Sequence, residues 1–144
     1  MAITSAICNS FKVEILTATH NFTASSGNTF NLALYTSSAT LNKSTTAYTT
    51  SAEVATATGY TAKGKALTSV TPVLSSDTAV CDFANVSWTS ASFTARGCLI
   101  FNDSAASDQS VCAIDFGGDK TVTSGTFTIE FPAATAGNAI IGIA

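Results

Sequence analysis

Apolar residues alternate with polar ones over several short segments of this chain, which is the period expected of half-buried β-strands. The cleanest alternation occurs in residues 29–35 and 126–131. Each segment places three apolar side chains on one face: Phe30, Leu32 and Leu34 in the first, and Phe127, Ile129 and Phe131 in the second. We expect both trios to be buried in the core of a β-sheet protein.

Further strand-like segments follow along the chain and are separated by turn-forming residues. They cover residues 66–74, 79–85, 96–101, 110–116 and 139–144. Trp88 and Phe93 flank one expected turn, and the sequence Gly117-Gly118-Asp119 predicts another. Many short strands at this spacing predict an all-β fold, either an antiparallel β-sandwich or a jelly-roll-like barrel.

One segment has the period of an α-helix instead. Residues 5–19 place Cys8, Phe11 and Ile15 on one face at spacings of three and four, with Leu16 beside them. Ser5 is a candidate for the N-cap of this helix. We therefore predict a single short N-terminal helix over about residues 5–19, which packs on the sheet through Phe11 and Ile15.

A long polar stretch over about residues 36–61 shows no clear period and few charges. We interpret it as an extended loop, and long loops of this kind are often functional surfaces. Tyrosine is enriched at interfaces because its ring buries area while its hydroxyl keeps a partner. The candidate interface residues are Tyr48, Tyr60, Leu41 and Val54. In the alternative interpretation, the two tyrosines close over the protein's own core.

Charge is scarce, and this narrows the function classes. The chain has 144 residues, which fits one domain over 1–144, with 10% charged residues and a net charge of −3. A typical soluble domain has about 25% charged residues, so the surface must be filled by hydroxyl and alanine side chains. Six Lys+Arg residues without a cluster disfavour nucleic-acid binding. We expect no membrane span, because no apolar run is long enough, and no secretory signal, because residues 1–7 lack a positive region and a long apolar region.

Residues that carry catalytic chemistry do not form a recognisable set. His20 is the single histidine and is expected to cap or hydrogen-bond in a polar loop. Asp103, Asp108, Asp115 and Asp119 lack the spacing of a calcium loop, so we interpret them as solvated turn residues. The sequence therefore predicts no enzyme, no metal and no cofactor.

The four cysteines are far apart in sequence and have no metal-binding spacing. They are Cys8, Cys81, Cys98 and Cys112. We expect them to be small buried side chains with free thiols, and a disulfide between neighbouring strands stays open as an alternative.

Several stretches together resemble a widespread family of small bacteriophage virion proteins that are encoded among structural genes. The similarity spans essentially the whole chain and contains no catalytic signature, and the four cysteines are not part of its pattern. The shared stretches are residues 9–12, 20–22, 32–37, Tyr48, 53–54, 59–64, Trp88, 93–97, 116–117 and 127–134, followed by the Ile-rich end.

The resemblance implies a structural role in a phage particle, with the protein assembled in the host cytoplasm and located in the virion. The leading hypothesis is a capsid cement (decoration) protein that clamps neighbouring capsid subunits, with itself, as a dimer or trimer, and the major capsid protein as partners. One alternative is a tail-associated component such as a connector or fibre part. Another is a carbohydrate-binding β-sandwich for host recognition, with Trp88, Tyr48 and Tyr60 as candidate stacking groups and Phe93 beside Trp88.

Overall fold

Residues 2–57 and 59–144, which the computed structural model describes, fold into two antiparallel β-sheets with one short helix, in a sandwich-like arrangement. Strands make up 49% of the residues and helices 6%. Within the described residues, this confirms the all-β class, which the alternating pattern predicts, and the single N-terminal helix, which the helical spacing predicts.

The strands divide unequally between the sheets. The elements are β1 (Ala6–Ile7), α1 (Asn9–Leu16), β2 (Phe30–Tyr35), β3 (Lys65–Ala66), β4 (Ser69–Ser75), β5 (Thr78–Phe83), β6 (Val86–Asn102), β7 (Ser110–Ile129) and β8 (Ile141–Ile143). The larger sheet has the order β1-β7-β6-β2-β3, and the smaller sheet has the order β4-β5-β8.

Two strands, β6 and β7, are much longer than the sequence predicts. Trp88 and Phe93 lie inside β6 instead of flanking a turn, and β7 runs straight through the expected turn at Gly117. The turn prediction fails because β6–β7 pairing resumes beyond Gly117: Gly97 pairs with Asp115, and Ala95 pairs with Lys120. Gly117 has a positive φ of 78° and therefore marks a bulge within the strand.

The helix is shorter than predicted at both ends. It covers Asn9–Leu16 instead of residues 5–19, because Ala6 and Ile7 pair with the edge of β7 and Cys8 occupies the N-cap position. Phe11 is buried and Ile15 packs against the core as predicted, whereas Leu16 is 86% exposed. In the described ranges, no helix is long and apolar enough to cross a membrane.

The main core lies between the sheets and contains the first predicted trio. Phe30, Leu32 and Leu34 are fully buried, which confirms their prediction. The intervening residues Ala33 and Tyr35 are fully buried too. They belong to a second apolar cluster with Leu41 of the polar stretch, so both faces of β2 are covered.

The second trio is only half-buried, which corrects the prediction. Phe127, Ile129 and Phe131 pack against the main core with one side and line a surface groove with the other. These residues stay half-buried because β7 is much longer than the strand at the edge of the smaller sheet: β7 has 20 residues, whereas β8 has 3. The facing sheet is too small to cover the C-terminal half of β7.

Candidate functional site

The stretch over residues 36–61, apart from Thr58, forms turns and single bridges on the larger sheet. Ile3 bridges to Leu41, Tyr35 to Glu53, and Ala47 to Gln109. Of the four candidate interface residues, Leu41, Val54 and Tyr60 are 1%, 5% and 2% exposed in the subunit. They therefore leave almost no side-chain surface for another chain in this conformation. Their burial agrees with the alternative in which this segment closes over the protein's own core.

The Glu53 carboxylate accepts three of the hydrogen bonds that order this segment. Glu53 Oε1 accepts hydrogen bonds from the Tyr60 hydroxyl and from the Lys63 backbone N–H, both at 2.8 Å. Glu53 Oε2 accepts one from the Tyr48 hydroxyl at 2.6 Å. The Tyr60 hydroxyl also accepts the Leu34 N–H of β2 at 2.9 Å, which connects the segment to the centre of the sheet.

Tyr48, the fourth candidate, is half-buried. Its ring stacks on Phe101 with 4.8 Å between the centroids, and the Lys63 ammonium lies 5.7 Å above it. Burial, together with the Glu53 carboxylate, raises the pKa of Tyr48 to about 12, and burial raises that of Tyr60 further. Both hydroxyls therefore stay protonated near neutral pH and act as hydrogen-bond donors to Glu53.

The acidic residues of the later loops form ion pairs within the subunit. Lys63 Nζ lies 3.0 Å from Asp103 and 2.8 Å from Asp108, and these carboxylates raise the pKa of Lys63. Between the paired strands β6 and β7, Arg96 Nε lies 3.1 Å from Asp115. The Gly117 N–H and then Arg96 lower the pKa of the Asp115 carboxyl. Arg96 Nη1 also lies 4.0 Å from Asp119. All four acidic residues that were interpreted as solvated therefore form ion pairs, which the sequence did not reveal.

His20 hydrogen-bonds as predicted, although it is buried instead of lying in an open loop. Asn102 Oδ1 accepts the Ser104 N–H, which leaves Asn102 Nδ2 to donate to His20 Nδ1 at 3.1 Å. The proton of the neutral ring is then on Nε2, which faces Glu14 Oε1 at 3.5 Å. The ring packs against Phe11 with 4.9 Å between centroids. Burial lowers the pKa of His20, and Glu14 opposes this shift only in part.

We expect this buried histidine to make the protein less stable in mild acid. Because the pKa of His20 is lower in the folded state, the unfolded chain takes up the proton first. The free energy of unfolding should be fully retained above about pH 6.5, the usual histidine pKa. It should fall as the pH decreases below that value, by at most about 1.4 kcal/mol per pH unit.

Chemical denaturation of wild type and His20→Gln between pH 7.5 and 5 measures this effect. The glutamine variant keeps polar atoms at the site but cannot titrate. Its stability should therefore change less with pH than that of wild type over the same interval. Parallel pH profiles for the two proteins would contradict the assignment of His20 as the titrating group.

The cysteines are free thiols, as expected. Cys8, Cys98 and Cys112 are buried, and Cys81 is half-buried. Burial raises the pKa of Cys81 to about 11 and that of Cys112 to about 12. At neutral pH these thiols are protonated and behave as small apolar side chains.

An apolar groove of about 550 Å³ runs beside the C-terminal half of β7. Its lining includes the aromatic side chains of Phe116, Phe127 and Phe131 and the aliphatic side chain of Ile140. Lys120 and Glu130 are the charged residues of its lining. The sequence pattern contained these apolar positions, but it could not show that the facing sheet ends before it covers them.

Large apolar side chains are also exposed on α1 and on the edge strand β4, two elements that line a common cavity; we call them together the apolar area around α1 and β4. Leu16 is 86% exposed and Leu74 is 72% exposed, with Val13, Val73 and Ile143 each more than half exposed. Ile15 of the helix and Ile143 of β8 line one cavity of about 440 Å³ between these elements. Large apolar side chains that stay in water on a low-charge protein favour contact with another macromolecule.

The aromatic residues considered for sugar stacking do not form an exposed platform. Trp88 is 3% exposed and Tyr60 is 2% exposed. Phe93 is half-buried and lies edge-on to the Tyr60 ring, with 5.7 Å between the centroids. Trp88 belongs to the main core cluster of the subunit.

Comparisons with protein-family models, with curated proteins and with solved structures gave no match for this chain. In the part of the chain that the structure describes, His, Cys, Asp and Glu side chains do not gather in groups of three or more that could hold a metal ion. The groove beside β7 and the apolar area around α1 and β4 are the candidate functional surfaces, because large apolar side chains stay in contact with water there.

Proposed function

We propose that this protein is a non-enzymatic structural component of a bacteriophage particle, and specifically a capsid cement protein that clamps neighbouring capsid subunits. The resemblance of its sequence stretches to small virion proteins supports this proposal. A compact β-sandwich with 10% charged residues suits a subunit that functions against other protein surfaces.

The observation that carries the proposal is the apolar area around α1 and β4. Leu16 and Leu74 are largely exposed in the isolated subunit. Burying such side chains contributes about 25 cal/mol for each Å² removed from water. A capsid lattice presents many equivalent surfaces, each of which can cover this area on one copy of the protein.

The same structural features also fit a tail-associated component, so the two positions in the particle must be separated by stoichiometry. Quantitative mass spectrometry of purified particles should find this protein at a copy number close to that of the major capsid protein. Reconstruction of the particle should place its density on the capsid exterior. A copy number far below that of the capsid protein, with density on the tail, would favour the tail role.

The carbohydrate-binding alternative keeps only Tyr48 of its three candidate stacking groups at the surface, because Trp88 and Tyr60 are buried. A glycan array probed with the purified protein is the direct test of this alternative. Specific glycan binding together with absence from the capsid would replace the cement proposal.

We expect Leu16→Asp and Leu74→Asp to weaken binding of the purified protein to capsids that lack it, by about tenfold or more each. Charged groups at the centre of an apolar contact lose hydration without gaining a partner. Co-sedimentation with capsids measures the binding. The matched control is Ala55→Asp, which adds the same charge at an exposed position of the polar segment.

Both leucines are exposed, so melting temperatures should change little in the variants. Unchanged capsid binding by Leu16→Asp and Leu74→Asp would show that the apolar area is not the contact surface. Equal weakening by Ala55→Asp would show that added negative charge, and not the lost apolar contact, is responsible.

A further inference from the structure

Most of β7 is a free sheet edge. On the side away from β6, its neighbour β1 pairs only with Cys112 and Ala113. In the described ranges, no strand pairs with residues 114–129 on this side. The backbone N–H and C=O groups that point outward there can take a further strand.

The free edge contains a stretch that is suited to pairing with itself. Residues 121–129 carry no charged side chain, and Lys120 and Glu130 flank them at the two ends. Both flanking side chains are exposed. Across the described part of the subunit, neither has a partner of opposite charge within 4.0 Å, since the ion pairs involve other residues.

Antiparallel pairing of two copies would match these charges. It brings Lys120 of each copy to the end at which Glu130 of the other copy lies, within about one residue of the directly opposite position. Parallel pairing would place like charges side by side. The charge pattern therefore favours a two-fold arrangement with Gly125 near its centre.

The apolar side chains fit the same arrangement. A two-fold axis perpendicular to the sheet keeps the inner face of one copy next to the inner face of the other. Phe127 and Ile129, which are half-buried in one subunit, would then extend the apolar layer beside the groove of the second. Near the centre, Gly125 has no side chain to obstruct the second backbone.

We propose that two copies of this chain form a symmetric dimer by antiparallel pairing of the free β7 edges over residues 121–129. Ser124 has a positive φ of 45° and interrupts the alternation once, so the pairing comprises one short ladder on each side of the axis. The proposal concerns self-association and goes beyond the role in the particle.

Charge reversal tests this pairing. Sedimentation equilibrium over a wide concentration range should show a monomer–dimer equilibrium for wild type. Lys120→Glu and Glu130→Lys should each raise the dimer Kd about tenfold, because each replaces two attractive contacts by two repulsive ones. The double variant K120E/E130K should restore a Kd within about twofold of wild type, because it recreates the opposite charges in exchanged positions.

The matched controls reverse charges at exposed positions elsewhere on the subunit. Lys43→Glu and Asp77→Lys change the net charge by the same amounts and should leave the Kd unchanged. A protein that is monomeric at all concentrations, or trimeric, would overturn the proposal. Single reversals without effect, or a double variant without rescue, would overturn it as well.

Hydrogen exchange gives a readout that needs no substitution. Outward-pointing amides of residues 121–129 should exchange more slowly at high protein concentration than at low concentration, because they are hydrogen-bonded only in the dimer. Amides of β2, which lie inside the larger sheet, should be insensitive to concentration. Equal exchange of the β7 amides at both concentrations would contradict edge pairing.

Discussion

Replacing Glu53 by Ala should lower the free energy of unfolding by about 3 kcal/mol, because three donors lose their acceptor at once. These donors are the hydroxyls of Tyr48 and Tyr60 and the backbone N–H of Lys63. Tyr60 is 2% exposed, so its hydroxyl cannot simply turn to water. Urea denaturation followed by circular dichroism measures the change.

Two further variants sharpen this test. Glu53→Gln keeps one carbonyl oxygen as an acceptor and should cost about 1 kcal/mol. Asp77→Ala removes an exposed carboxylate in the β4–β5 turn and should change stability by less than about 0.5 kcal/mol. If Glu53→Ala were as mild as Asp77→Ala, the carboxylate would not be the group that holds the polar segment on the sheet.

Replacing Phe30 by Ala should cost about 4 kcal/mol, since the ring is fully buried and its removal leaves a cavity. Phe30 stacks on Phe22 with 4.3 Å between the ring centroids and also packs against Phe83 at 5.9 Å. The ring thus joins the larger sheet to the segment after α1 and to the smaller sheet. Chemical denaturation of the variant measures the loss.

The matched comparison is Phe127→Ala, at the equivalent alternating position of the second trio. Full burial there would predict the same cost, but Phe127 borders the open groove. We expect about 1–2 kcal/mol instead, because water can fill the vacated space. Equal losses for the two variants would mean that the groove is closed in solution, for instance by the proposed dimer, and repeating the measurement below the dimer Kd separates that case.

The proposed cement role and the proposed dimer use different surfaces. The apolar area around α1 and β4 would contact the lattice, whereas the β7 edge would contact a second copy. Variants in one surface should therefore leave the function of the other unchanged. The experiments can therefore contradict the cement role without contradicting the dimer, and the dimer without contradicting the cement role.

Local pattern alone was sufficient for the fold class and for the first core trio. Alternation at Phe30, Leu32 and Leu34 reports burial of one strand face directly, and the structure confirms it. The helix was also predicted from a local pattern, the spacing of three and four residues between its apolar positions, but both of its ends were predicted wrongly. Its N-terminal boundary failed because Ala6 and Ile7 pair with β7, a long-range partner that local spacing cannot reveal.

The tertiary structure decided which predicted surfaces remain available. In the sequence, Tyr48 and Tyr60 lie in a polar segment without an evident partner. In the structure, both hydroxyls donate hydrogen bonds to Glu53, and both rings pack within the subunit. Phe127 follows the same alternation as Phe30, yet it borders a groove because the smaller sheet ends too early to cover it.

The sequence by itself thus determined an all-β chain with one helix and a low-charge surface, because strand period and composition are local properties. Only the tertiary structure decided that the polar segment covers one face of the larger sheet and that the edge of β7 beyond Ala113 has no neighbouring strand in the described residues. Burial of a strand face depends on what packs against it, and that partner comes from elsewhere in the chain.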